Sequence, residues 1–204
     1  MFGYIRTQPL KKVEDYVKKK TFTYSEKSEE KRAEFLKKLE KIPVHKRIYL
    51  DECGIHKHLV REYDRAVRGA KIQDVRRGRK FRKTNVVAAR YRDVFGKLKH
   101  IAPFCFDHNA NSGIFIEWFR NKLVKRTPRG STIILDNATH HPKKKLANIA
   151  KRHGLKLLFL PAYSPDYNMI EKDWANMKKA LVDILPNCTS LEQGVYRYFH
   201  IAIY

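Results

Sequence analysis

The sequence predicts an α/β protein in which helices flank a mixed β-sheet. Its 204 residues are 43% hydrophobic and 12% aromatic, which is enough for one sizeable core. Runs rich in β-branched and aromatic residues come first, and later runs of this kind alternate with segments of helical periodicity. The predicted order is three antiparallel strands, then helix, strand, helix, strand and helix, which indicates a mixed sheet with helices packed against it.

A helix near the N-terminus is predicted over residues 26–42. Phe35, Leu39 and Ile42 lie on one face at helical spacing, and charged residues cover the rest. Pro43 ends the pattern. We interpret this amphipathic helix as a packing element.

Three β-strands follow this helix. Residues 47–50 form the first strand, which delivers Asp51 at its end. The β-rich runs 84–92 and 98–106 are separated by a short turn that contains a glycine, so they predict a hairpin. The mixed pattern of residues 55–72 is interpreted as an antiparallel continuation of the sheet.

Helices and strands alternate in the second half of the chain. Helices are predicted over 112–126, which opens with a capping serine, and over 142–154, which lies between a proline and a glycine. Residues 132–135 and 155–160 are the intervening strands. A long amphipathic helix starts at about Asn168, and a further helix is predicted within residues 190–204.

Two carboxylates flank this part of the chain, one after each of its two strands. Asp136 follows the apolar strand 132–135, and Glu171 lies near the start of the long helix, with 34 residues (137–170) between them. Sites in open α/β sheets lie outside the carboxyl ends of strands. The topology can therefore bring both carboxylates to one edge of the sheet.

Three segments in order carry a family resemblance: YLDECG (49–54), LDNA (135–138) and LPAYSPDYNMIE (160–171). Together they resemble the catalytic domain of mariner-type DDE transposases, and most closely the bacterial insertion-sequence branch, over roughly residues 19–185. The resemblance implies a ribonuclease-H-like (retroviral-integrase-like) fold and the three catalytic carboxylates Asp51, Asp136 and Glu171.

The resemblance also implies a metal cofactor. Two Mg²⁺ ions, for which Mn²⁺ can substitute, would be held by Asp51, Asp136 and Glu171, with Asp51 bridging both ions. Such a pair can stabilise the attacking and the leaving oxygen of an in-line displacement at phosphorus. Magnesium keeps several waters and needs few carboxylate ligands.

Each of the three acids also has an ordinary structural explanation. Asp136 followed by Asn137 suits a turn or a helix cap. Glu171 in the first turn of a helix is favoured by the helix dipole alone. Asp51 could be a strand end that meets solvent. Only the ordered constellation of all three favours catalysis over these alternatives.

Five polar residues are candidates for supporting roles around the carboxylates. Asn137 and His140 could orient a metal-bound water or a scissile phosphate, or could cap the following helix. Asp166 and Asn168 are expected to build the turn that aims the Glu171 helix, and Glu52 adjoins Asp51. Trp174 is interpreted as core packing beneath the site. Paired Cys and His spacings typical of zinc sites are absent from the sequence.

Charge indicates a polyanionic partner. Forty-four Lys and Arg against twenty-one Asp and Glu give a net charge of +23. Neutralising phosphates releases counterions and supplies affinity independent of base sequence. The basic charge is clustered, which favours double-stranded DNA over a merely solvated surface. The candidate DNA contacts are Arg76, Arg77, Arg79, Lys80, Arg82, Lys83, Lys143, Lys144 and Lys145.

The resemblance divides the chain into two parts. Residues 1–45 are expected to be a basic arm and amphipathic helix, either a remnant of, or a linker from, a missing DNA-binding region. Residues 46–204 are expected to be the DDE catalytic domain, truncated at its C-terminus. Members of the family carry a helix-turn-helix region before that domain, and no such motif is recognised here.

The expected function is metal-dependent DNA strand cleavage and strand transfer during transposition. Element ends and target DNA would be its partners, with a homodimer on DNA as one possible assembly. Two alternatives stay open: a truncated, non-catalytic DNA-binding remnant, and a structure-selective nuclease of the same fold.

The same sequence favours a cytoplasmic, nucleoid-associated protein. Its apolar runs are only strand-length, so no membrane span is predicted, and no secretory signal is recognised. Three scattered cysteines favour reduced thiols inside a cell.

Overall fold

A computed structural model describes residues 28–55, 84–106, 112–138 and 141–200. The strand continuation expected up to residue 72 lies, from residue 56 on, outside the described residues. So does the basic run 76–83.

The centre of the fold is a five-stranded mixed sheet with the order β3-β2-β1-β4-β5. The first three strands are antiparallel to one another, and β4 and β5 add to β1 in parallel. The predicted mixed sheet is therefore confirmed. Its strands are β1 Arg47–Ile55, β2 Thr84–Arg92, β3 Leu98–Phe106, β4 Thr132–Leu135 and β5 Lys156–Phe159.

Helices cover both faces of the sheet. One face packs against the helical segment 112–126, which contains a π-turn at Phe119–Leu123, and against α4. The other face packs against α1, α5 and α6. The helices are α1 Glu29–Glu40, α2 Ser112–Trp118, α3 Val124–Arg126, α4 Lys143–Arg152, α5 Glu171–Ile184 and α6 Leu191–Tyr198.

Strand alternation decides which residues of β1 meet which layer. Ile48 and Leu50 are buried in the core against the first helical layer, whereas Cys53 and Ile55 are buried in the core against α5 and α6. Successive side chains of a strand point to opposite faces. Asp51 therefore shares the α5 face with Cys53, and Glu52 points to the other face.

Two element boundaries beside the predicted carboxylates differ from the sequence prediction. β1 continues four residues beyond Asp51, to Ile55, because residues 49–55 pair in an unbroken ladder with β2. Helix α5 starts at Glu171 rather than at Asn168, because a 3-10 turn over Pro165–Tyr167 comes first.

The helices that the structure describes include no membrane-spanning candidate, since none is both long and apolar enough.

Candidate active site

Two of the three predicted carboxylates come from neighbouring strands. β1 and β4 are parallel partners, with Arg47 opposite Thr132 and Tyr49 opposite Ile134. The same offset continued by two residues puts Asp51 beside Asp136, which directly follows β4. Adjacent strands lie about 4.8 Å apart. The register therefore brings the two acids together at the sheet's centre.

The third carboxylate belongs to Glu171, which is the first residue of α5. Burial is the largest of the effects that raise the pKa of Asp51 to about 7, and the negative charge of Glu171 is the next. The charge of Asp136 raises this pKa further. Both other carboxylates thus lie within electrostatic reach of Asp51, and a buried acid among like charges is costly to ionise.

Trp174 fixes one oxygen of Asp51. Its Nε1–H donates a hydrogen bond to Asp51 Oδ2 over 3.0 Å, which opposes the upward shift of the Asp51 pKa. The indole is 3% exposed and packs with Met177 and Leu181. Core packing was the expected role, but the hydrogen bond was missed. The i, i+3 spacing from Glu171 is the sequence signal that could have suggested it.

The turn before α5 is tied to the strand that carries Asp51. The side-chain amide of Asn168 donates to the carbonyl of Leu50 over 3.1 Å within the core. The backbone N–H of Glu171 donates to the carbonyl of Asn168 over 3.2 Å. Asn168, which was expected to build the turn, therefore links the strand that carries Asp51 to the first residue of α5.

A buried ionic cluster holds the first turn of α5 against the hairpin strands. Arg90 of β2 donates to the carbonyl of Met169 over 2.9 Å and to Asp173 Oδ1 over 2.8 Å. The second oxygen of Asp173 lies 2.9 Å from Nε2 of His100 on β3. These three residues fix the start of the helix that carries Glu171. Sequence reasoning did not single out any of them.

Asp136 is contacted by a histidine from the following loop. Nε2 of His141 lies 2.9 Å from Asp136 Oδ1, and the buried imidazole packs 4.3 Å from the ring of Phe115. His140, the residue expected in a supporting role, lies outside the described residues. Asn137 is exposed directly after Asp136.

The remaining supporting candidates lie apart from the carboxylates. Glu52 follows Asp51, but strand alternation sends its side chain to the other face of the sheet. Asp166 is engaged by α1 instead, since both of its oxygens accept hydrogen bonds from Arg32, over 3.1 and 2.7 Å.

The three carboxylates fit a divalent cation in donor type and in charge. Carboxylate oxygen is the ligand that Mg²⁺ prefers. A cation among the acids would offset the repulsion that raises the Asp51 pKa. In the part of the chain that is described, however, no group of three or more His, Cys, Asp or Glu side chains forms a ready-made metal site.

Of the candidate DNA contacts, only the lysine triplet falls within the described residues. Lys143, Lys144 and Lys145 form the exposed first turn of α4, seven residues after Asp136. Lys143 Nζ lies 5.5 Å from the centre of the Phe159 ring. The six cations of residues 76–83 lie in a segment for which no geometry is described.

Comparison with known proteins gives a family model and several solved structures. The model described as "DDE superfamily endonuclease" matches residues 46–192. A paired-end complex of Mos1 transposase with the left transposon end is 16% identical, with a TM-score of 0.58; the match covers 92% of this chain and 63% of that one. A Mos1 mariner paired-end complex with Mn is 14% identical, with a TM-score of 0.57, covering 92% and 64% respectively. No curated protein matches the chain.

These similarities confirm the ribonuclease-H-like fold. At such identities they say nothing further about individual residues. The chain spans slightly less than two thirds of the length of the Mos1 chains it matches.

Proposed function

The chain belongs to the DDE superfamily endonucleases, and from this premise we propose that it is the catalytic core of a DNA transposase. It would cleave DNA strands and transfer them to a target, with Asp51, Asp136 and Glu171 as the catalytic carboxylates and Mg²⁺ or Mn²⁺ as cofactor. The mariner superfamily, in its bacterial insertion-sequence branch, is the assignment that the three sequence segments favour.

One observation carries this proposal. The pKa of Asp51 is raised to about 7 by burial and by two carboxylates that come from positions 85 and 120 residues further along the chain. A fold gains no stability from gathering acids in this way, since like charges in a low-dielectric site repel each other. Strongly perturbed groups of this kind cluster at functional sites.

The chain's own residues would hold and orient the reacting groups. Two divalent metal ions, when bound, supply charge stabilisation at the attacking and leaving oxygens. Trp174 fixes one oxygen of Asp51 and so orients the carboxylate that would bind the ions. Asn168 and Arg90 hold the turn and the helix start from which Glu171 projects. His141 restrains Asp136 in the same way.

The lysine triplet of α4 supports DNA as the substrate. A helix N-terminus disfavours cations through its dipole, and the first turn of α4 contains no acid that would compensate. Helix stability therefore does not explain three lysines at this end. Phosphates on the DNA backbone would, because both the lysines and the free N–H groups of the first turn attract anions.

A single carboxylate substitution tests the enzymatic role. Asp136→Asn keeps the shape of the side chain but removes its charge. We expect wild-type protein to nick plasmid DNA in the presence of Mg²⁺, and Asp136→Asn to lose that activity by about a thousandfold while its salt-dependent DNA binding stays unchanged. Wild-type protein that binds DNA but never nicks it would favour the non-catalytic remnant.

A second readout separates transposase from nuclease. A transposase joins 3′-hydroxyl ends to a target, whereas a structure-selective nuclease of this fold only cuts. Incubation of a labelled duplex end with supercoiled plasmid should yield joined product. Cut ends without joined product would favour the nuclease.

A homodimer on DNA and a cytoplasmic, nucleoid-associated location complete the proposal.

A further inference from the structure

Arg32 of α1 grips the turn that leads to Glu171, and we propose that it is a positioning residue for the divalent-ion site. This inference rests on the proposed function. It adds α1, which precedes the residues matched by the family model, to the parts of the chain that shape the site.

The contacts of Arg32 are numerous for a residue on an outlying helix. One terminal nitrogen donates to Ser164 Oγ over 2.9 Å and to Asp166 Oδ1 over 3.1 Å, and the other donates to Asp166 Oδ2 over 2.7 Å. The guanidinium carbon lies 4.1 Å from the centre of the Tyr167 ring. Phe35, one turn further along α1, stacks on the same ring at 5.6 Å. Arg32 is only 7% exposed.

These contacts fix a short, strained turn. Tyr163 has a φ of +54°, a conformation that side chains other than glycine rarely adopt and that persists only where surrounding contacts hold it. The next residue is Ser164, and the 3-10 turn that Arg32 clasps follows directly. Arg32 therefore grips the chain immediately after its strained point.

The turn is connected to both Asp51 and Glu171 through the hydrogen bonds of Asn168. Asn168 follows the 3-10 turn and donates to the Leu50 carbonyl beside Asp51, and the N–H of Glu171 donates to the Asn168 carbonyl. A shift of the turn would therefore change where Glu171 stands relative to Asp51. Ion affinity is sensitive to such a shift, because ligand distances must hold within about 0.2 Å.

The chemistry of this grip requires arginine. Its planar guanidinium forms two parallel hydrogen bonds with a carboxylate and stacks on an aromatic ring at the same time. Lysine would keep the charge but could make neither the fork nor the stack. The Asp166 side chain is half exposed, and pairs that meet solvent contribute little to stability. The Arg32–Asp166 pair is therefore better explained by the orientation it gives the turn than by its contribution to stability.

The test compares Mn²⁺ affinity among variants, read from the electron paramagnetic resonance signal of free Mn²⁺. We expect Arg32→Gln and Asp166→Asn each to weaken binding about fivefold or more, and the double variant to be no weaker than the worse single one. Arg32→Lys should recover only part of the loss. Lys38→Gln, which removes an exposed ion pair with Glu34 on the same helix, is the matched control and should bind as wild type.

A second control separates positioning from general stability. Ile149→Val removes one methyl group from the core under α4, and it should lower Tm without changing Mn²⁺ affinity. Arg32→Gln that binds Mn²⁺ within twofold of wild type, or Ile149→Val that weakens binding equally, would overturn the proposal. Wild-type protein that binds Mn²⁺ but never nicks DNA would contradict the proposed function and leave the effect of Arg32 standing.

Discussion

Asp51 carries an energetic cost that depends on pH. A carboxyl in the unfolded chain ionises near pH 4, whereas in the folded protein the pKa of Asp51 is raised to about 7 by burial and by Glu171. The folded state thus retains a proton that the unfolded state has lost. Without metal, stability therefore falls as pH rises from about 4 to about 7 and stays lower above that interval.

Asp51→Asn should remove this cost. In EDTA at pH 8 we expect its Tm to exceed that of wild type by about 3 °C or more, since each kcal/mol shifts Tm by about 2–4 °C in a chain of this size. The gain should vanish well below pH 4, where the Asp51 carboxyl is protonated in both the folded and the unfolded state of wild type. Calorimetry across this pH range checks it, and a Tm gain that does not depend on pH would contradict the raised pKa.

Trp174→Phe tests the indole hydrogen bond to Asp51. The change leaves the hydrophobic packing largely in place but removes the only donor that Trp174 offers to Asp51 Oδ2. We expect a loss of about 1–3 kcal/mol in the free energy of unfolding and weaker Mn²⁺ binding. Trp118→Phe loses a comparable buried bond, to the carbonyl of Ala102, and is the matched control. It should be destabilised to a similar degree yet bind Mn²⁺ normally.

The three candidate carboxylates could be singled out from the sequence, but most of the residues that contact them could not. Asp136 and Glu171 stand in local motifs whose spacing is visible in one chain. The hydrogen bonds of Arg32 with Ser164 and of His100 with Asp173 join residues more than seventy positions apart. A single sequence contains no local signal for such pairs, because tertiary packing creates them.

A buried charge pair between β2 and α5 holds the first turn of α5 in place. Arg90 and Asp173 have side chains only 7% and 8% exposed. Removing one partner of a buried pair strands the other charge, which typically costs about 3–5 kcal/mol. The start of this helix should therefore be much more sensitive to mutation than its exposed face.

Arg90→Met tests that expectation. We expect the free energy of unfolding, measured in urea, to fall by about 3 kcal/mol, since Met169 also loses its donor. Lys38→Gln, at the exposed pair with Glu34, should leave the free energy of unfolding nearly unchanged, because solvent screens such a pair. Equal losses in the two variants would show that the buried cluster does not stabilise the start of α5.

Elements with strong local patterns were predicted most accurately. The hairpin strands have the predicted bounds, 84–92 and 98–106, because alternation and a glycine turn define both ends. The predicted end of β1 was wrong, because pairing with β2, and not local composition, extends that strand to Ile55. Helix α5 starts three residues later than predicted for a similar reason. The 3-10 turn before it depends on contacts with α1 and β1 that local sequence does not encode.

The net charge of +23 concerns the molecule as a whole. Such a charge destabilises a compact state through self-repulsion and favours binding to polyanions. The lysine triplet of α4 allows the two effects to be separated, because we expect it to oppose folding and to support DNA binding.

Replacing Lys143, Lys144 and Lys145 by Gln should therefore act in opposite directions. We expect Tm without DNA to stay the same or rise, because cations at a helix N-terminus are unfavourable. DNA affinity should fall, and the slope of log K against log salt should shrink by about 0.9 for each lysine that contacts a phosphate. The matched control replaces three exposed lysines, Lys37 and Lys38 of α1 and Lys41 directly after it. An equal loss of affinity there would mean that net charge alone matters.

The convergence of three distant acids on one divalent-ion site is tested most directly by Mn²⁺ binding to single carboxamide variants. Asp51→Asn, Asp136→Asn and Glu171→Gln should each abolish or severely weaken binding, while Asp183→Asn, an exposed acid later in α5, should bind as wild type. Undiminished Mn²⁺ binding in any one of the first three variants would contradict a shared site.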